Sequence, residues 1–150
     1  MSIVKIQFSI EINAPCQRVW DVMFDPDTYR EWTSAFSPSS YFEGSWSEGS
    51  RIRFLGVDER GNLGGFSSRV VTNRPYEFVA IEHLAVVENG VEVTAPSEWT
   101  GAREDYHFAE KGGVTSVRIE QDIVADYADM FETLWPKALA KVKALAEQHS

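Results

Sequence analysis

Cysteine is nearly missing from this chain. Cys16 is the one example in 150 residues, so no intrachain disulfide can brace the fold. Histidine is almost as scarce. His83, His107 and His149 are the full set, no two are spaced as a ligand pair, and Cys16 has no second thiolate beside it. A resident metal is therefore not expected. Cofactor fingerprints are missing too. Gly61-Asn62-Leu63-Gly64-Gly65 is glycine-rich, but it lacks the Lys-Ser/Thr of a phosphate loop and the spacing of a dinucleotide site, so it reads as a hairpin turn and no cofactor is expected. No Gly-x-Ser-x-Gly elbow marks a nucleophile. No apolar run approaches the ~20 residues of a membrane span, and Lys5, Gln7 and Glu11 interrupt the N-terminal segment where a signal peptide would need an apolar stretch. Positive charge is in deficit: 14 Lys and Arg stand against 23 Asp and Glu, a net −9. Such a surface repels phosphate backbones and anionic headgroups, so neither nucleic acid nor membrane is an expected partner. The expected location is a reducing cytoplasm.

Aromatic residues, by contrast, are plentiful, with nine Phe and five Trp. That is ring surface enough for an aromatic-lined cavity, or for an aromatic-rich core. The length suits one domain spanning residues 1–150. Val4, Ile6, Phe8, Ile10 and Ile12 alternate with polar residues, which predicts a half-buried strand ending at Asn13-Ala14-Pro15. Pro15 then fits the first position of a helix carrying Val19, Trp20 and Met23. Asp25 as N-cap and Pro26 behind it start a second helix, with Tyr29, Trp32, Ala35 and Phe36 as its apolar side.

From residue 41 to 125 glycines punctuate strand-like runs at Arg51–Val57, Phe66–Val71, Tyr76–Leu84, Trp99–Phe108 and Thr115–Ile123, the pattern of an antiparallel meander. Glu110-Lys111-Gly112-Gly113 predicts a hairpin turn. Residues 86–97, ending at Pro96-Ser97, read as a loop or short strand near the mouth of the fold. Tyr127 to Gln148 predicts one long helix, about 33 Å at 1.5 Å per residue, with Pro136 inside it and a kink expected near Glu132–Pro136. An antiparallel sheet with one apolar face needs a cover, and only this helix is long and apolar enough. The fold class is therefore α+β: a curved antiparallel sheet wrapped around a long C-terminal helix, with two short helices after the first strand.

Ile10-Glu11-Ile12-Asn13-Ala14-Pro15 followed by Val19-Trp20 resembles the opening of the START/polyketide-cyclase-like superfamily, also called SRPBCC or Bet v-like. Trp32…Ala35-Phe36, Gly44-Ser45-Trp46…Gly49-Ser50, Pro75-Tyr76-Glu77-Phe78, Trp99-Thr100-Gly101-Ala102 and Trp135-Pro136-Lys137-Ala138-Leu139 look like its branch of heat-shock-protein ATPase activator homologues. The resemblance covers essentially the whole chain. It implies a helix-grip fold with a cavity between sheet and long helix. The co-chaperone that names the branch carries an additional N-terminal chaperone-binding domain, whereas this chain opens on the first strand, so a chaperone partner is not expected. The superfamily holds carriers, cyclases and interaction domains, and fold does not select among them.

Within that frame several side chains stand out. Alternation along Trp99–Phe108 turns Tyr106 and Phe108 inward and takes Glu104 with them. A carboxyl facing an aromatic cavity would work as acid or base, unless it pairs with an arginine or sits at a wet end. Gln121 shares a face with Val117, Ile119 and Ile123, where it would orient a ligand or satisfy a buried neighbour. His83 ends the row Val79-Ile81-His83, but the opposite row of that strand is also apolar, and either could face inward. Ser67 and Ser68 could meet His83 across strands, as polar residues on a solvated or pocket-facing strand would. Trp32, Phe36, Phe54, Phe66, Phe131 and Trp135 are the expected aromatic lining. The leading expectation is a cavity for a small apolar or aromatic molecule. The alternatives are a cyclase- or dehydratase-like enzyme using Glu104, His83 or Tyr106, and a protein-interaction domain. The edge strands also leave room for a homodimer.

Overall fold

A computed structural model describes residues 3–93 and 99–148. Eight strands among the described residues form one antiparallel sheet. They are β1 (Ile3–Ile12), β2 (Tyr41–Gly44), β3 (Arg51–Val57), β4 (Leu63–Arg74), β5 (Phe78–Glu88), β6 (Val91–Val93), β7 (Arg103–Lys111) and β8 (Val114–Val124). Their order is β1-β8-β7-β5-β4-β3-β2, with β6 paired to the end of β5. Helices α1 (Cys16–Phe24) and α2 (Pro26–Thr33) connect β1 to β2, and α3 (Ala128–Glu147) closes the chain after a single 3₁₀ turn at Ala125–Tyr127. The curved sheet and the long helix are the α+β helix-grip arrangement that the periodicities imply.

Local chemistry explains the element ends. Asp25 caps α2 by accepting from the Asp27 backbone N–H, and Pro26 follows at the first helical position, where no intrahelical donor is needed. Gly112 and Gly113 supply the positive φ angles of the two-residue turn between β7 and β8. The buried stripe of α3 is Trp135, Ala138, Leu139, Val142 and Ala146, and it packs on β1 and the two short helices. Arg18 from α1 donates to the Leu145 carbonyl at 2.9 Å, a cation placed at the negative end of the α3 dipole.

Several expected boundaries move. The run Trp99–Phe108 starts as a strand only at Arg103. Residues 99–101 form a turn, with the Ala102 N–H donating back to Trp99 and the Gly101 N–H to His83. Tyr76 adopts a left-handed turn conformation (φ 67°), so its strand begins at Phe78. The second helix ends at Thr33, leaving Ala35 and Phe36 in the turn beyond it. Pro15 stands one residue ahead of α1 as its N-cap. Tyr127, in the 3₁₀ turn ahead of the helix, and Met130 in its first turn are exposed rather than core-facing. The helix runs unbroken through Pro136, whose position is solvent-facing. β2 is a strand the sequence pattern did not single out. Of residues 86–97, the first part belongs to β5 and Val91–Val93 to β6, while Pro96 and Ser97, like His149, lie outside the described residues.

Candidate functional site

The concave face of the sheet is built from cross-strand rows. Ile81, Glu104, Gln121 and Ile6 form one row across β5, β7, β8 and β1, and Val79, Tyr106, Ile119 and Phe8 form the next. Alternation puts all of them on the side covered by α3. His83 is inward as well and 3% exposed, so the Val79-Ile81-His83 row is the one that faces the interior. Glu104 and Gln121, directly paired in register, are the polar residues of a row that is otherwise aliphatic.

That pairing organises a hydrogen-bonded chain. The Trp135 indole Nε1–H donates to Gln121 Oε1 at 2.8 Å, and Gln121 Nε2 donates to Glu104 Oε1 at 2.8 Å. The Tyr106 hydroxyl donates to Glu104 Oε2 in a short contact. An indole nitrogen can only donate, so Trp135 sets the orientation of the Gln121 amide and aims its NH₂ at the carboxyl. Glu104 Oε1 is thereby an acceptor; when the carboxyl is protonated its proton resides on Oε2, and the bond to Tyr106 then runs from Oε2 to the hydroxyl oxygen. Burial drives the Glu104 carboxyl above its ordinary range, with the neighbouring Asp105 adding to the shift, while the hydrogen bonds from Tyr106 and Gln121 oppose it. Burial also raises the Tyr106 hydroxyl, and the adjacent Glu104 raises it further. Tyr29 shifts the same way for the same two reasons.

A cavity of about 140 Å³ lies against this chain. Trp32 from α2, Phe36 from the following turn, Phe54 from β3, Phe66 from β4, His83 from β5, Glu104 and Tyr106 from β7, Gln121 from β8, and Phe131 and Trp135 from α3 all line it. The structure thus brings the expected aromatic lining, Glu104, Tyr106, Gln121 and His83 around one space, while Ser67 and Ser68 do not line it. Tyr29, Thr33 and Ser40 also line it and were not expected there. Tyr29 carried a signal, since it lies on the apolar side of α2, whereas Thr33 and Ser40 are short polar residues at a helix end and in a turn, with no periodicity to point them inward.

The aromatic walls brace one another. Phe36 meets Trp135 edge-on at 5.0 Å between centroids, and Trp32 lies 6.0 Å from Trp135. Trp32 spends its own N–H on the Met23 carbonyl, so it offers the cavity only ring surface. Phe66 stacks on the His83 imidazole at 4.3 Å, and Ser68 holds Nδ1 of that ring at 2.8 Å. Burial pushes the His83 imidazole down to about 4, against a smaller opposing pull from Asp122, so the ring is neutral near pH 7. Ser68 and His83 do meet across β4 and β5. Ser67 instead accepts from Arg51 on the sheet's other side. A larger open groove of about 820 Å³ shares Phe36, Ser40, Phe54 and Phe66 with the inner cavity and continues along β3 and β4 to the Asp58–Asn62 turn. Among the described residues no group of three or more histidine, cysteine, aspartate or glutamate side chains could hold a metal ion, and no helix is long and apolar enough to cross a membrane.

No family model matches the chain, and no curated protein matches it in sequence. Solved structures do match over nearly its whole length. The Aha1 dimer from Colwellia psychrerythraea is 19% identical, with a TM-score of 0.71 and 97% of each chain covered. CalU16 from Micromonospora echinospora is 17% identical, with a TM-score of 0.64, covering 97% of this chain and 77% of its own. DynU16, a protein of the dynemicin biosynthetic locus, is 13% identical, with a TM-score of 0.69, covering 97% of this chain and 48% of its own. With its sheet order and its two inserted helices, the chain has a helix-grip fold, the fold it shares with these neighbours.

Proposed function

We propose that this protein binds a small, largely apolar molecule in the cavity between sheet and α3, with Glu104, Tyr106 and Gln121 orienting its polar atoms. The observation that carries this reading is the cavity itself: about 140 Å³ walled by aromatic rings, with one hydrogen-bonded polar cluster on its floor. Apolar walls with a few convergent polar groups are the usual composition of a small-molecule site. A space of about 150 Å³ accepts a single benzene ring, and the groove shared through Phe54 and Phe66 leaves room for a longer molecule to extend outward. A domain acting only through its outer surface would have no use for such a space, which favours a small ligand over a protein-interaction role.

The Glu104–Tyr106 pair favours a second reading, in which the bound molecule is also a substrate. A carboxyl raised by burial, with its proton confined to the oxygen beside Tyr106, is arranged for proton transfer. Native mass spectrometry of the purified protein, followed by extraction and a thermal-shift screen of aromatic and acyl compounds, tests the primary reading. A co-purifying molecule at near one-to-one ratio, or a compound that stabilises the protein, is the expected result, and incubation of that molecule with the protein then tests for turnover. An empty protein that no compound stabilises would remove both readings.

A further inference from the structure

Glu104 is a buried acid without a cation beside it among the described residues. Its two hydrogen-bond donors, Tyr106 and Gln121, are neutral, and none of the ion pairs among the described residues includes it. Among the described residues no lysine or arginine lines the cavity. His83, the other titratable nitrogen there, is kept neutral by its burial and brings no positive charge. Burial favours the protonated form of Glu104 in the empty cavity, and a cation meeting it favours the ionised form, which away from water is costly without a positive partner. Two of its roughly four lone-pair positions are used, which leaves acceptor capacity for an incoming donor. Apart from the neutral Thr33 and Ser40, the rest of the wall is rings, including Tyr29, Trp32, Phe36, Phe131 and Trp135, and aromatic faces carry the negative end of the ring quadrupole. The route inward has the same sign. Among the described residues the charged side chains lining the outer groove are Asp58, Glu59 and Glu88, all acidic. Asp58 is held ionised by the backbone N–H groups of Arg60 and Asn62, which donate to its Oδ1.

Resting on the binding reading above, we infer that the ligand is a small organic cation: an ammonium on a single ring or short alkyl body, its N–H groups on Glu104 and its charge among the aromatic faces. An anion of the same size meets Glu104 and the acidic groove and is rejected. A neutral isostere keeps the apolar contacts and loses the charge pairing.

The test is calorimetric titration of three matched probes, benzylamine, benzyl alcohol and benzoate, at fixed ionic strength and pH 7.5, into the wild-type protein and Glu104→Gln. The variant keeps the side-chain shape, and circular dichroism establishes that it folds. Benzylamine is expected to bind the wild type about tenfold or more tightly than benzyl alcohol, with no binding of benzoate. In Glu104→Gln the two binders are expected to converge to within about twofold, as the charge-specific contribution is lost. Benzyl alcohol binding as tightly as benzylamine would overturn the inference and leave the binding reading intact. A cation preference that survives in Glu104→Gln would also overturn it, since the overall negative charge would then be its source. Binding of none of the three overturns the inference, and the binding reading is then decided by its own wider screen.

Discussion

Gln121 lies across the β7–β8 ladder from Glu104, and its amide is oriented by Trp135, a residue from a different layer of the fold. Three side chains far apart in sequence thus decide where one proton can sit. Glu104 and His83 leave opposite marks on stability. His83 is held down to about 4 in the folded protein against an ordinary 6.5, so between those values the unfolded chain binds the proton more readily. That stability is fully present above about pH 6.5 and is lost as pH falls towards 4, on the order of 3 kcal/mol in all. Glu104 is raised above its ordinary 4.5, so the folded state keeps its proton longer. Its contribution is full below pH 4.5 and is lost as pH rises through the folded value. Urea unfolding at pH 7 and pH 4.5 should show His83→Gln losing less stability on acidification than wild type, and Glu104→Gln losing more. Parallel pH curves for all three proteins would contradict the burial described for both groups. That Glu104 points inward was legible from its alternation with Tyr106 and Phe108. That it lacks a cation was not, since the register and the neighbouring elements set its surroundings.

Elements carry the walls of the site, and one glycine holds two of them in place. Phe54 and Phe66 are paired across β3 and β4, and Gly65 beside them has φ +145°. A Cβ there would lie 1.8 Å from the Phe54 carbonyl oxygen, a backbone atom that cannot move without breaking the ladder. Gly65→Ala is therefore expected to cost roughly 2 kcal/mol or more in urea unfolding, and to weaken any ligand that uses Phe54 and Phe66. A variant of wild-type stability would show that β4 does not approach β3 this closely. In the sequence this glycine belonged to a turn. In the fold the turn ends at Asn62, and Gly65 is already inside a strand, because β4 runs three residues further towards the turn than its apolar pattern indicated. The long helix was the more legible element. Its stripe from Trp135 to Ala146 is buried as its 3.6-residue period requires, whereas Tyr127 and Met130 continue the same period and are exposed, so the period alone does not say where along the helix burial begins.

At the scale of the whole molecule, charge acts through the solvent. Nine excess negative charges repel one another in the compact state, and salt screens that repulsion. Raising ionic strength from about 0.01 to 0.15 M, where the screening length falls to about 8 Å, should raise the melting temperature by a few degrees. A flat or falling response would mean that the local ion pairs, Lys5–Asp122 and Lys143–Glu147 among them, outweigh the net repulsion. Composition and periodicity by themselves determined the sign of the surface, the alternation of β1 and β7, the capped start of α2, the length of the last helix and hence the helix-grip class. These follow from the backbone's two fixed periods and from short-range capping, which need only neighbours in the chain. The tertiary structure alone decided the pairing of Glu104 with Gln121, the turn of the Gln121 amide by Trp135, the inward choice of His83 and the entry of Thr33 and Ser40 into the cavity wall. Each of these depends on which strand lies beside which, in what register and under which helix, and contacts between distant segments of a chain exist only once the sheet has closed on α3.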